Sequence, residues 1–137
     1  MSYLINGLFI TSDNEKTHIN SKCTYMYKPN LITIAYKETE NIGFKNVYTN
    51  ITIHDNKKII INRNNNIKTN IVIENNIRNV FQYSTPYGTF TLGVFGKLIK
   101  INLSPDGGEL YCNYDIDIGG SISHTNKIKI EIIKNQT

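Results

Sequence analysis

Tryptophan is absent from this chain, and cysteine, methionine and proline are scarce, at two, two and three residues. Cys23 and Cys112 have no CxxC spacing, so neither a disulfide framework nor a cysteine-built zinc site is indicated, and free thiols in a reducing compartment are expected. The three histidines, His18, His54 and His124, stand far apart, and none has metal-ligand spacing with a cysteine or carboxylate. No metal or cofactor is therefore expected. No apolar run approaches the roughly 20 residues of a membrane-spanning helix. The opening MSYLINGLFI lacks a basic leader and is broken by Asn6 and Gly7, so it reads as a strand, not a signal peptide. Without an export or anchoring signal, the expected compartment is the cytoplasm. Helical periodicity is missing as well, and no glycine-rich phosphate loop follows a strand and opens a helix.

What the chain does have is length for one domain, residues 1–137, and an ordinary globular composition, 39% hydrophobic and 19% charged. Its net charge is +4, but the lysines are scattered among asparagine and isoleucine, whereas a nucleic-acid binder concentrates charge on one face. β-Branched and aromatic residues alternate with polar ones, and turn signals recur at Pro29-Asn30, Asp55 to Lys57, Asn64 to Asn66, Glu74 to Asn76, Pro86-Tyr87, Gly96-Lys97, Pro105 to Gly108 and Gly119-Gly120. Short loops between strands imply an antiparallel meander.

Facing residues of a hairpin must share a face, and this tests each turn. A two-residue loop at Pro29-Asn30 sets Tyr27, Tyr25 and Cys23 against Ile32, Ile34 and Tyr36. A three-residue loop at Asp55 to Lys57 sets Ile53, Ile51 and Thr49 against Ile59, Ile61 and Arg63. Further on, Ile73 is expected opposite Ile77, Tyr83 opposite Phe90, and Phe81 opposite Leu92. A turn near Gly96-Lys97 is expected to absorb a phase shift. Leu103, Ile101 and Ile99 are expected against Leu110, Cys112 and Tyr114, and Ile118 against Ile122, which sends His124 and Asn126 inward. About ten strands, each with one apolar face, predict an all-β, up-and-down barrel, because an open sheet would expose its edges.

Tyr36-Lys37-Glu38-Thr39-Glu40, Thr85-Pro86-Tyr87-Gly88-Thr89-Phe90, and Asp106-Gly107-Gly108 with the Tyr114-Asp115-Ile116 strand together resemble the YwiB-like family. That family comprises small bacterial proteins of unknown function. The resemblance runs from about Ile5 to Ile132 and implies a lipocalin-like, calycin-type barrel, but it carries no activity.

Function has to be sought in the inward polar residues. Arg63 falls among isoleucines, and a buried cation needs an anionic partner: Glu38 in a structural salt bridge, or a ligand carboxylate or phosphate. Tyr25, Tyr27, Tyr36, Tyr83 and Tyr114 share the inner face and suit either an amphipathic ligand or a core closed by internal hydrogen bonds. His124 and Asn126 could supply an acid or base, although a lone inward histidine is more often a satisfied core group, and no nucleophile is placed beside it. Asp115 and Asp117 fall on the outer face and are expected in solvent. The expected function is non-enzymatic binding of a small anionic or amphipathic molecule inside the barrel, with Arg63, Glu38, Tyr83, Tyr114, His124 and Asn126 as candidate contacts. The alternative is a protein or RNA interaction module with an inert core. Neither a membrane partner nor an oligomeric state is indicated.

Overall fold

The computed structural model describes residues 2–38, 47–64 and 68–135. They form ten strands: β1 (Ser2–Ile10), β2 (Lys16–Lys28), β3 (Leu31–Glu38), β4 (Val47–His54), β5 (Lys58–Asn64), β6 (Lys68–Glu74), β7 (Arg78–Thr85), β8 (Gly88–Ser104), β9 (Gly107–Ile118) and β10 (Ser121–Asn135). The turns between them use residues that tolerate left-handed backbone. Asp55 and Asn56 both sit at φ 54° between β4 and β5, and Gly119 and Gly120 make the two-residue loop between β9 and β10. Among the described residues there is no helix, hence none long and apolar enough to cross a membrane.

All ten strands belong to one antiparallel sheet in the order β6-β5-β4-β3-β2-β1-β10-β9-β8-β7. The first strand pairs with the last, from Ser2↔Asn135 to Ile10↔Lys127, so the sheet curls until its edges β6 and β7 meet. The barrel is nearly closed there, though among the described residues no ladder joins the two edges. Instead, isolated bridges link Glu74 to Ile77 and Asn75 to Gly96, and the Asn76 N–H donates to the Gly96 carbonyl at 2.7 Å. Asn79 adds a side-chain link, donating from Nδ2 to Glu74 Oε1 at 3.2 Å.

Inward residues of facing strands line up in rows. One row runs Tyr27, Ile32, Ile53, Ile59, Ile73, and the next runs Tyr25, Ile34, Ile51, Ile61, Ile71. Ile5, Ile34, Ile53, Ile59, Ile73, Val94 and Ile130 are wholly shielded from solvent. The middle of the barrel is a packed aliphatic core, as small barrels commonly are. A transverse bond helps close it, in which the Tyr25 hydroxyl donates to the Ser104 carbonyl at 2.6 Å while its ring packs edge-on against Tyr3.

Most of the expected register holds, including Thr49↔Arg63, Tyr83↔Phe90 and Phe81↔Leu92. Four details differ. β8 is one 17-residue strand with a bulge between Gly96 and Leu98, not two strands with a turn. The β8–β9 loop is tighter than expected, so Ile101 faces Leu110 and Ile99 faces Cys112, a slip of two residues that preserves the face. Ile73 faces Ile59, while Ile77 makes only the bridge to Glu74 and is exposed. Ile118 faces Ser121, not Ile122, and a register break between Ile122 and His124 follows, beyond which Cys112 faces Ile128.

Gly96 is where the seam is tightest. A Cβ there would strike the Glu74 carbonyl oxygen and lie 2.8 Å from the carbonyl carbon and 3.2 Å from Ile73 Cγ2. Gly96→Ala is expected to destabilise the fold by roughly 1–3 kcal/mol through overpacking against backbone. Leu98→Ala, at a neighbouring exposed position, is expected to cost less, and urea unfolding of both variants checks the comparison.

Candidate functional site at the barrel mouth

Beyond the two isoleucine rows, the next inward row changes character to Cys23, Tyr36, Thr49 and Arg63. Strand alternation holds these four on the same face as the core, so hydrogen-bonding groups replace methyl groups one step along the barrel. Thr49 is 1% exposed, and its Oγ1 is buried with no hydrogen-bond partner among the described residues. A buried hydroxyl left unmet costs about 1–3 kcal/mol.

Arg63 is half-buried beside Thr49, and its charge reaches Tyr114 on the opposite wall. Burial pushes the Tyr114 hydroxyl above its ordinary pKa, Cys112 adds to the rise, and the Arg63 charge offsets part of it. Tyr114 faces Asn126, which is also buried. Arg63, Thr49, Tyr114 and Asn126 therefore form a polar layer over the aliphatic core. A cleft of about 720 Å³ lies along β1 to β4, its lining drawn from both faces of these strands: the inward Tyr3, Cys23, Tyr25, Tyr36 and Thr49 and the outward Lys22, Thr24, Ala35, Lys37, Tyr48 and Asn50, with Arg63, Tyr114 and Asn126 not among them. That volume lies within the range of about 300–1,000 Å³ usual for small-molecule sites.

The sequence-predicted residues separate into three groups. Arg63, Tyr114 and Asn126 come together as described. Glu38 ends β3, paired with Val47, and Tyr83 pairs with Phe90, but the side chains of both lie outside the described residues. His124 pairs with Ile116 on the same face as Asn126, as expected, but it is exposed, on the stretch of β10 next to the register break. Thr49, Lys22 and Lys37 were not singled out by sequence reasoning. Thr49 was nevertheless discoverable, since its row partner is Arg63.

Asp115 and Asp117 do face outward, but Asp117 is not in solvent. Arg78 reaches diagonally across Gly93 to bind it, Nε to Oδ2 at 2.8 Å and Nη2 to Oδ1 at 2.6 Å, and leaves the carboxylate 6% exposed. The Arg78 hydrogen bond holds the Asp117 carboxyl below its ordinary pKa against the opposing effect of burial, and the Gly120 N–H assists. Asp115 pairs with Lys97 at 3.0 Å. Both carboxylates are thus committed to the outer wall.

A family model described as a domain of unknown function, DUF1934, matches residues 5–130. The crystal structure of the ywiB protein from Bacillus subtilis is similar over 98% of this chain and 92% of that one, at 18% identity and a TM-score of 0.79. At that identity the likeness shows the fold alone. No curated protein matches.

Both cysteines are free, and burial pushes their thiols up, Cys23 to about 11 and Cys112 to about 12. Each is protonated at neutral pH, which deprives it of nucleophilicity. A disulfide reagent at pH 8 is expected to modify both at least tenfold more slowly than an unperturbed thiol, whose pKa is about 8.5, with the remaining reactivity released in denaturant. Rapid labelling of the native protein would contradict this assignment.

Proposed function

Because the chain belongs to the DUF1934 family, a domain of unknown function, no activity comes with its fold, and we propose one from the site: this barrel binds a small anionic or amphipathic molecule at its mouth. The observation that carries the reading is the buried Thr49 hydroxyl, which has no hydrogen-bond partner among the described residues and lies on the same face as Arg63, with Thr49 also contributing to the lining of the β1 to β4 cleft. A bound oxyanion would accept from Thr49 and Arg63 together. A guanidinium has five N–H donors, so Arg63 can hold an intramolecular partner and a ligand oxygen at once. Lys22 and Lys37 add positive charge to the cleft, and Tyr3, Tyr25 and Tyr36 add apolar ring surface, the Tyr3 and Tyr25 hydroxyls already donating to the Pro105 and Ser104 carbonyls.

The interior below the polar layer does not enter this proposal, because its isoleucines already fill it. The binding is proposed to be without chemistry, since both thiols are held protonated and both outer aspartates are engaged in ion pairs. A cytoplasmic setting, where free thiols persist, fits the pair Cys23 and Cys112. The second reading, a docking module for a protein or RNA, draws support from Val80 on β7 and Ile122 on β10, which are exposed on the outer wall in one row through Gly93 and Asp117.

The two readings predict different responses at Thr49. If the hydroxyl serves a ligand, Thr49→Val removes an unmet polar atom from the empty protein and raises its stability by roughly 1 kcal/mol while weakening ligand binding. Chemical denaturation with and without a carboxylate ligand measures both effects. A variant that is destabilised, or that retains full ligand-induced stabilisation, would remove the basis of the proposal.

A further inference from the structure

The wall opposite Thr49 continues past the barrel in an unusual way. Inward residues of β8 and β9 run outward from Tyr114 through Ile116 and Ile118, and in parallel from Val94 through Leu92 to Phe90, with Phe81 of β7 beside Leu92. Exposure climbs along this line, from none at Val94 to 43% at Phe90 and 49% at Ile118. Alternation still assigns these side chains to the interior face, but among the described residues no strand covers them.

The uncovered stretch lies across the seam from the polar layer. The Asn75↔Gly96 bridge is parallel, so β6 and β8 run from it in the same direction, toward Thr69 on one strand and Phe90 on the other, with β7 paired to β8 between them. Thr69 pairs with Arg63. Hence the seam, pinned at Gly96 and by Asn79, opens toward a lip that is cationic and hydrogen-bonding on the β5 side and apolar on the β7 to β9 side.

Resting on the binding reading above, we infer that the ligand is a single-chain amphiphile. Its anionic head lies against Thr49 and Arg63, and its aliphatic chain lies in the β6–β7 opening along Leu92, Phe81, Phe90 and Ile118. The chain supplies the missing cover for an apolar surface continuous with the core, and the head supplies the acceptor that the Thr49 hydroxyl lacks. A compact polar anion would satisfy the second need and leave the first unmet.

Titration calorimetry with straight-chain carboxylates from butanoate to decanoate tests this. Each added methylene is expected to tighten binding about twofold to fourfold, because each one removes apolar surface from water. Phe90→Ser and Ile118→Ser, both at exposed positions, should flatten that dependence, and Phe90→Leu should restore it. Thr49→Val should weaken every homologue by the same factor. Binding that is independent of chain length, or a dependence untouched by both lip variants, would overturn the inference and leave the anion-binding reading standing. Failure of every homologue to bind would overturn both.

Discussion

Everything in this molecule depends on the coupling of strand alternation to hairpin register. Because side chains alternate faces with period two, a turn of the right length decides whether ten isoleucine-rich strands point their methyl groups the same way. The turns meet that demand with residues that accept positive φ, Asp55, Asn56 and Asn76 among them. The result is a stack of inward rows so uniformly branched and aliphatic that no room is left in the middle. Among the described residues the inward polar groups gather where threonine and arginine replace isoleucine on β4 and β5 and where Tyr114 faces Asn126 on β9 and β10.

Closure is handled unequally around the barrel. The β1–β10 ladder is long and regular, whereas among the described residues the β6–β7 seam is held by two bridges, the backbone hydrogen bonds from Asn76 N–H to the Gly96 carbonyl and from Ile77 N–H to the Glu74 carbonyl, and the Asn79 side chain. Gly96 permits this contact because a larger residue would meet the Glu74 carbonyl. On the outer wall Gly93 has a comparable role, leaving the space through which Arg78 crosses to Asp117. Two glycines in β8 therefore allow one contact that draws the edges together and another that ties the β7 end of the sheet to β9.

The faces of nearly all strands could be read from the sequence, because asparagine, aspartate, glycine and proline mark the turns and the apolar alternation is unusually clean. Errors fell where the chain adds a residue without a local signal. The bulges at Gly96/Leu98 and Ile122/His124 are set by the packing of neighbouring strands, so the first was taken for a turn and the second shifted the local pairing. Alternation also says which way a side chain points but not whether anything lies opposite. Phe90 and Ile118 have the inward phase, yet they are half exposed. Arg63 was legible as an inward cation, and Thr49 as its row partner. That the Thr49 hydroxyl goes unmet depended on three-dimensional neighbours that no spacing rule reveals.

The central claim is that the barrel mouth, and not the filled barrel, is the binding surface. Two-dimensional amide NMR of labelled protein titrated with decanoate tests it residue by residue. The account predicts progressive shifts at Tyr36, Thr49, Arg63 and Tyr114 and along Leu92 to Phe90, with Ile32, Ile53 and Ile59 unmoved. Shifts centred on those isoleucines, or on the outer wall around Val80 and Ile122 alone, would contradict it.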